Sequence, residues 1–179
     1  MRVRTVLAAS AAATALVLTL PASLAVAAPQ GAQGAQAAPV PICREGKVTV
    51  EASRTDSPHI IHVRVRNNGD RTCAIDRIPT VTFGALDGAA QPVPPTGSRP
   101  YRVGAGKAAY ATVRTIARTD DQAARVVRSV TVAADPSHRG KAFSARSLGA
   151  RHGVKVYEPV TTWWHTTQGR ADRALDRAT

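Results

Sequence analysis

Short runs of alternating residues, each closed by a turn, are the feature that most constrains the fold of this chain. In the clearest run, residues 61–66 (IHVRVR), apolar side chains alternate with His and Arg. Such alternation is typical of an antiparallel strand with one buried and one solvated face. Similar runs occupy residues 47–51, 80–83, 109–116, 127–132 and 154–157. Many short strands with little helix predict an all-β fold, an antiparallel β-sandwich, with a barrel as the alternative.

The segments between these runs carry residues that end strands. Residues 67–70 (NNGD) tolerate positive φ and predict a tight turn. Residues 92–100 contain four prolines and predict a long loop that cannot join a central strand. At most one short helix is predicted, near residues 119–126, where Thr119 and Gln122 match a capping box.

The N-terminal region has the layout of a secretory signal peptide over residues 1–27: a basic start, an apolar stretch, then small residues at positions 25 and 27. An uncleaved membrane anchor is the alternative, and residues 35–37 (AQA) offer a second cleavage site. Residues 28–41, rich in Gly, Ala, Gln and Pro, predict a flexible spacer. No later segment approaches membrane-spanning length, so we expect no transmembrane segment after cleavage.

The folded domain is then predicted over residues 42–160, followed by a C-terminal tail over residues 161–179. The end of that tail has a helical composition. Leu175 is its one large apolar residue in residues 171–178, which predicts that this helix frays for want of a surface to dock on.

The chain is strongly basic, with 24 Lys and Arg against 12 Asp and Glu and a formal charge of +12. Loss of residues 1–27 removes Arg2 and Arg4 and lowers that charge to +10. A secreted protein of this charge favours anionic partners, so the predicted partner is an anionic cell-wall polymer or a secreted or envelope protein. Nucleic acid is less favoured, because the basic residues are dispersed and do not interleave with aromatics. A merely solvated basic surface is the alternative.

The two cysteines, Cys43 and Cys73, leave one possible pairing. Secretion would place them in a disulfide-permissive compartment, and closing a loop of this length is worth roughly 3–4 kcal/mol. The interpretation is a covalent tie between the start of the domain and the segment after the 67–70 turn. A zinc site, which two cysteines without spaced histidines do not support, and a nucleophilic cysteine are the weaker alternatives.

Several of these features together resemble a secreted actinobacterial family classed as a domain of unknown function, number 4232. The resemblance lies in Cys43 before the first strand, an NNG turn at 67–69, Cys73 with Pro79 beyond it, and residues 103–108 (VGAGKA) before a long strand. It covers about residues 42–160, although residues 77–78 (RI) stand where Gly-Tyr is usual. It implies an immunoglobulin-like sandwich, secreted or wall-associated, with no known active site.

Catalytic and cofactor motifs were not found. The chain has no Gly-x-Ser-x-Gly elbow, no phosphate-binding glycine loop and no positioned pair of acids. His59 and His62 are three positions apart, which on a strand places them on opposite faces. We therefore expect no enzymatic activity, no cofactor and no metal.

Residues 163–165 (WWH), after the last predicted strand, are the strongest candidate for a ligand contact. A tryptophan can stack on a sugar or pack on the nearest hydrophobic core. The alternative for this pair is that one tryptophan covers the end of the sandwich and does not contact a ligand. Candidate ligand-binding residues are Arg64, Arg66, Trp163 and Trp164. The predicted function is a secreted, non-enzymatic binding or adhesion module at the bacterial cell envelope. The alternative is action on a protein partner, for example as a protease inhibitor, through the 92–100 loop.

Overall fold

The computed structural model describes residues 39–97, 99–117 and 122–178. Within them a 3-10 turn, Glu45–Lys47, precedes the first strand, and one α-helix, α1 (Gln168–Arg177), follows the last. The strands are β1 (Val48–Arg54), β2 (Ile60–Asn67), β3 (Cys73–Ile75), β4 (Thr80–Phe83), β5 (Gln91–Val93), β6 (Tyr101–Val103), β7 (Ala108–Arg114), β8 (Arg125–Val127), β9 (Ser129–Ala133), β10 (Lys141–Ser144), β11 (Val154–Val156) and β12 (Val160–Thr162). The predicted all-β, sandwich-like fold is confirmed.

The strands form a five-stranded sheet in the order β1-β2-β7-β12-β5 and a three-stranded sheet in the order β10-β9-β4. Two further pairs, β11-β8 and β3-β6, complete the described sheets. These pairings are antiparallel except that of β5 with β12, which is parallel. β5 carries Pro92 and lies at the edge of its sheet, where a residue without an N–H is tolerated.

The alternation read from the sequence determines which side chains form the core. Val63 and Val65 on β2 are buried and stand opposite Ala111 and Ala109 on β7. Intervening residues such as Arg64 point to the other face of the sheet, as the two-residue period of a strand requires. Apolar side chains from both larger sheets join one hydrophobic cluster, which includes Val81, Phe83, Val130, Val132 and Trp164.

The predicted disulfide between Cys43 and Cys73 is confirmed, with an S–S distance of 2.08 Å and a Cα–Cα distance of 4.9 Å. Backbone hydrogen bonds reinforce it, because Cys43 donates to Ala74 at 2.7 Å and Ala74 donates to Pro41 at 2.8 Å. The start of the domain is therefore fixed to β3 both covalently and by strand-like pairing.

The short helix predicted near residues 119–126 is not seen in the described part of that segment. Residues 118–121 lie outside the described residues, and the segment continues as a turn followed by β8. β8 pairs with β11, where Val127 stands opposite Val154, and both side chains are buried. Burial of these valines outweighs the helix propensity of the preceding alanines.

The expectation that the C-terminal helix frays is wrong. α1 packs against β7 and β12, and Ala171 and Leu175, one turn apart, are 0% and 4% exposed. These two apolar side chains lie on the same side of the helix and are buried together against the sheet, which is enough to hold the helix in place. The described residues beyond 160 therefore belong to the same compact unit as the sandwich.

Candidate ligand-binding groove

A groove of about 540 Å³ lies between the loop after β5, the segment after β12 and the second half of α1. Eight residues line it: Val93, Pro94, Pro95, Trp163, His165, Ala174, Arg177 and Ala178. The groove therefore joins two features that the sequence suggested separately, the proline-rich loop and one of the two tryptophans, Trp163.

Trp163 is held in place from several directions. Its indole N–H donates to the carbonyl oxygen of Pro94 at 2.9 Å, which ties the ring to the proline-rich loop. The guanidinium carbon of Arg77 lies 4.7 Å from the centroid of the Trp163 ring and 5.7 Å from that of Tyr101. The backbone of Gly97 packs closely beside them. Any larger residue at this position would clash, because its Cβ would stand 2.8 Å from Cγ of Arg77. The indole is a partly exposed but preorganised surface.

His165 lines the groove and, like Arg177, contributes a polar side chain to it. Its backbone pairs with Tyr110 of β7 through hydrogen bonds of 2.7 and 2.9 Å, which fixes its position on the sheet. Burial, followed by the charges of Arg77, Arg177 and Arg170, lowers the pKa of the His165 imidazole. The ring is therefore neutral near pH 7 and able both to donate and to accept a hydrogen bond.

The same three arginines give the groove a positive potential. Arg177 lines it, Arg77 lies over the ring of Trp163, and the charges of Arg77 and Arg170 also lower the pKa of His165. Among the described residues, no carboxylate lines the groove. An anionic ligand would therefore gain attraction from several guanidinium groups without displacing an internal ion pair.

The structure separates the two predicted tryptophans. Trp164 is 1% exposed and belongs to the hydrophobic core, so it has no surface to offer a ligand. Trp163 is partly exposed and lines the groove. Adjacent residues in an extended segment point to opposite sides, which explains the division between packing and exposure.

The predicted arginines lie elsewhere. Arg64 projects from β2, where its guanidinium binds Glu51 at 2.9 Å, and this hydrogen bond raises the pKa of Arg64. Arg66 is exposed near the end of the same strand, opposite Thr49. Neither lines the groove, so the structure does not bring the four predicted residues into one site.

Comparison with known proteins agrees with the layout of the domain. The family model described as Domain of unknown function (DUF4232) matches residues 43–164, well over half of the chain. The chain belongs to the DUF4232 family. No curated protein and no solved structure matches it. The match begins at Cys43 and ends at Trp164, so α1, the second wall of the groove, follows the matched part.

Sequence reasoning missed the cationic residues at the groove. Arg77 and Arg177 are far apart in the sequence and come to the groove only through the approach of Arg77 to Trp163 and the docking of α1, which also carries Arg170. Two features of the sequence could have pointed to these arginines. Residues 77–78 depart from the family's usual Gly-Tyr, and Arg170 and Arg177 are seven positions apart, which places them on one face of a helix.

A second polar cluster anchors α1 to the sheet of the DUF4232 domain. Asp172 on the helix accepts hydrogen bonds from the Thr112 hydroxyl at 2.6 Å and the Gln168 amide at 3.0 Å, and lies 3.0 Å from His62 Nε2. Ser53 stands opposite His62 on β1, but among the described residues no hydrogen bond joins the two. The cluster explains why the helix is ordered.

Two further findings concern metal binding and membranes. In residues 39–97, 99–117 and 122–178, no three His, Cys, Asp or Glu side chains are grouped so that they could hold a metal ion. In the same part of the chain, no helix has the length and apolar character needed to cross a membrane.

Proposed function

We propose that this protein is a secreted, non-enzymatic binding module of the bacterial cell envelope whose ligand is an anionic cell-wall polymer. The signal-peptide pattern of residues 1–27 supports export. The formal charge of +10 beyond residue 27 supports attraction to a polyanion such as a teichoic acid, and it would also allow the protein to adhere to the wall.

One observation carries the proposal: Arg177 lines a groove that has no carboxylate among its described lining residues, and the guanidinium of Arg77 lies over Trp163 of the same lining. Arginine is suited to phosphate and carboxylate groups because its planar guanidinium can donate two parallel hydrogen bonds. Arg64, one of the predicted ligand-binding residues, differs because it is already paired with Glu51. An anion added at the groove meets no carboxylate among the described residues that line it.

Co-sedimentation with purified cell walls tests this function. Walls with and without extracted teichoic acid are mixed with the protein across a salt series, and the bound fraction is measured. We expect binding that depends on the acidic polymer and decreases as salt screens the charges. Arg177→Gln should weaken binding more than Arg151→Gln, which removes the same charge from an exposed residue outside the groove. Protein that stays in the supernatant at low salt would rule the function out.

A protein partner is the second candidate, because the proline-rich loop is held against the domain. Pro94 accepts the hydrogen bond from Trp163, and Gly97 packs against Arg77 and the Trp163 ring. A rigid exposed loop is the element by which an inhibitor can occupy a protease cleft. Residual activity of a panel of secreted serine proteases, measured with excess protein, tests this candidate. Full activity throughout the panel would remove it.

A further inference from the structure

The lining of the groove is more apolar than attraction of a bare polyanion requires. Six of the eight lining residues are apolar: Val93, Pro94, Pro95, Trp163, Ala174 and Ala178. A site that binds a ligand through charge alone consists of cationic and hydrated groups. An apolar and aromatic lining instead favours a ligand that also has an apolar face, such as the C–H face of a sugar ring. The volume of about 540 Å³ is in the range of a small-molecule pocket and suits one or two rings.

Besides its apolar residues, the lining contains a permanent positive charge. Arg177 is the charged residue among those that line the groove, and it follows Ala174 by three positions on α1. Arg170 and Arg77 are near enough to act on His165. A ligand that fills the groove therefore meets an aromatic ring, two prolines and the guanidinium group of Arg177.

We propose that the groove recognises a sugar ring carrying a phosphate or a carboxylate, with Trp163 against the ring and Arg177 binding the anion. The inference rests on the proposed function for the class of polymer and adds that the sugar, as well as the charge, is recognised. His165, one of the lining residues, completes the site as a hydrogen-bond partner for a sugar hydroxyl.

Preorganisation strengthens the case for Trp163. The hydrogen bond from its indole to Pro94 and the stacked guanidinium of Arg77 hold the ring in one orientation. A ligand then does not have to order this side chain, which reduces the entropic cost of binding. Arg77 acts through Trp163 and is a positioning residue.

Three soluble polymers separate charge from sugar recognition. Polygalacturonate carries sugar and anion together, dextran carries sugar alone, and polyphosphate carries anion alone. Binding of each to the purified protein is measured by titration calorimetry at moderate salt. We expect polygalacturonate to bind roughly tenfold or more tightly than the other two, which corresponds to a difference of about 1.4 kcal/mol. Glycosylated teichoic acid, the phosphate source, is compared with polygalacturonate, the carboxylate source.

Variants assign the roles. Trp163→Leu should weaken polygalacturonate binding roughly tenfold. Trp163→Phe keeps an aromatic face and should therefore retain most of the wild-type affinity. Arg177→Gln should weaken binding, and Arg151→Gln should leave it unchanged. Thermal melting of each variant shows whether the fold is intact, and Trp163→Phe keeps the test decisive if Trp163→Leu does not fold.

The outcomes separate this inference from the proposed function. Equal binding of polyphosphate and polygalacturonate, with affinity unchanged in Trp163→Phe and Trp163→Leu, would overturn the inference and leave the attraction to anionic polymers standing. Absence of binding to all three polymers and to teichoic-acid-bearing walls would overturn both.

Discussion

The Arg77 guanidinium carbon lies 4.7 Å from the centroid of the Trp163 ring, although the two residues are far apart in the sequence. Arg77 precedes β4, and Trp163 follows β12. The stacking links the segment before β4 to Trp163, whose indole N–H in turn donates to the carbonyl oxygen of Pro94. A cation over an aromatic ring contributes about 0.5–1 kcal/mol at an exposed site, so the contact orients the ring more than it stabilises the fold.

Gly97→Ala should destabilise the protein by about 1–3 kcal/mol, because the added methyl group would overlap the side chain of Arg77. The built Cβ stands 2.8 Å from Cγ of Arg77 and 3.2 Å from Cε2 of Trp163. Urea unfolding measures the change. Gly46→Ala is the matched control, since a Cβ at Gly46 meets nothing within 4 Å. Equal stability of the two variants would show that Gly97 does not pack against Arg77 and Trp163 as described.

Leu175→Ala should lower the free energy of unfolding by about 2–4 kcal/mol, in the range typical of a buried leucine. Leu175 is 4% exposed where α1 packs on the sheet. Asp176→Ala, at the exposed neighbouring position, is expected to change stability by less than about 0.5 kcal/mol. Urea midpoints of both variants provide the measurement. A negligible effect of Leu175→Ala would indicate that α1 is detached from the sheet in solution.

Reduction of the Cys43–Cys73 disulfide should cost roughly 3–4 kcal/mol of stability, the chain-entropy value for a loop of this length. Urea unfolding with and without reductant gives the difference. The mass of alkylated protein supplies the check on the bond itself. Two alkylated thiols in unreduced protein exported to the medium would contradict the bridge.

Stability should decrease as the pH falls through 6.5. Burial and neighbouring arginines lower the pKa of His165, and burial, followed by Lys155 and Arg54, lowers that of His59. The unfolded chain therefore takes up protons first, at its ordinary pKa of 6.5, and the loss levels off below the folded pKa. Urea midpoints measured from pH 8 to pH 5, a range of about three units that includes the ordinary histidine pKa, give the slope of stability against pH.

His165→Gln should flatten this dependence, whereas His152→Gln, at an exposed residue, should not change it. An identical slope in the wild type and in His165→Gln would contradict the electrostatic description of the groove.

The strands and the disulfide could be predicted because their signals are local. The alternation in residues 61–66 determines which face is buried, and two cysteines permit one pairing. The groove could not be predicted in the same way. The meeting of Arg77 with Trp163 depends on how β12 enters the sheet, and the position of Arg177 depends on α1 docking through Leu175 and the Asp172 cluster. No local pattern encodes either packing event.

The two tryptophans provide the most direct test of the groove, because each gives its own indole N–H resonance. Trp163 lines the groove, and Trp164 is buried and serves as an internal control. A ¹⁵N-labelled sample is titrated with polygalacturonate, and Trp163→Phe assigns the two signals. The account predicts that the Trp163 resonance shifts with added polymer while that of Trp164 stays in place. A Trp163 resonance that does not move at saturating polymer would contradict it.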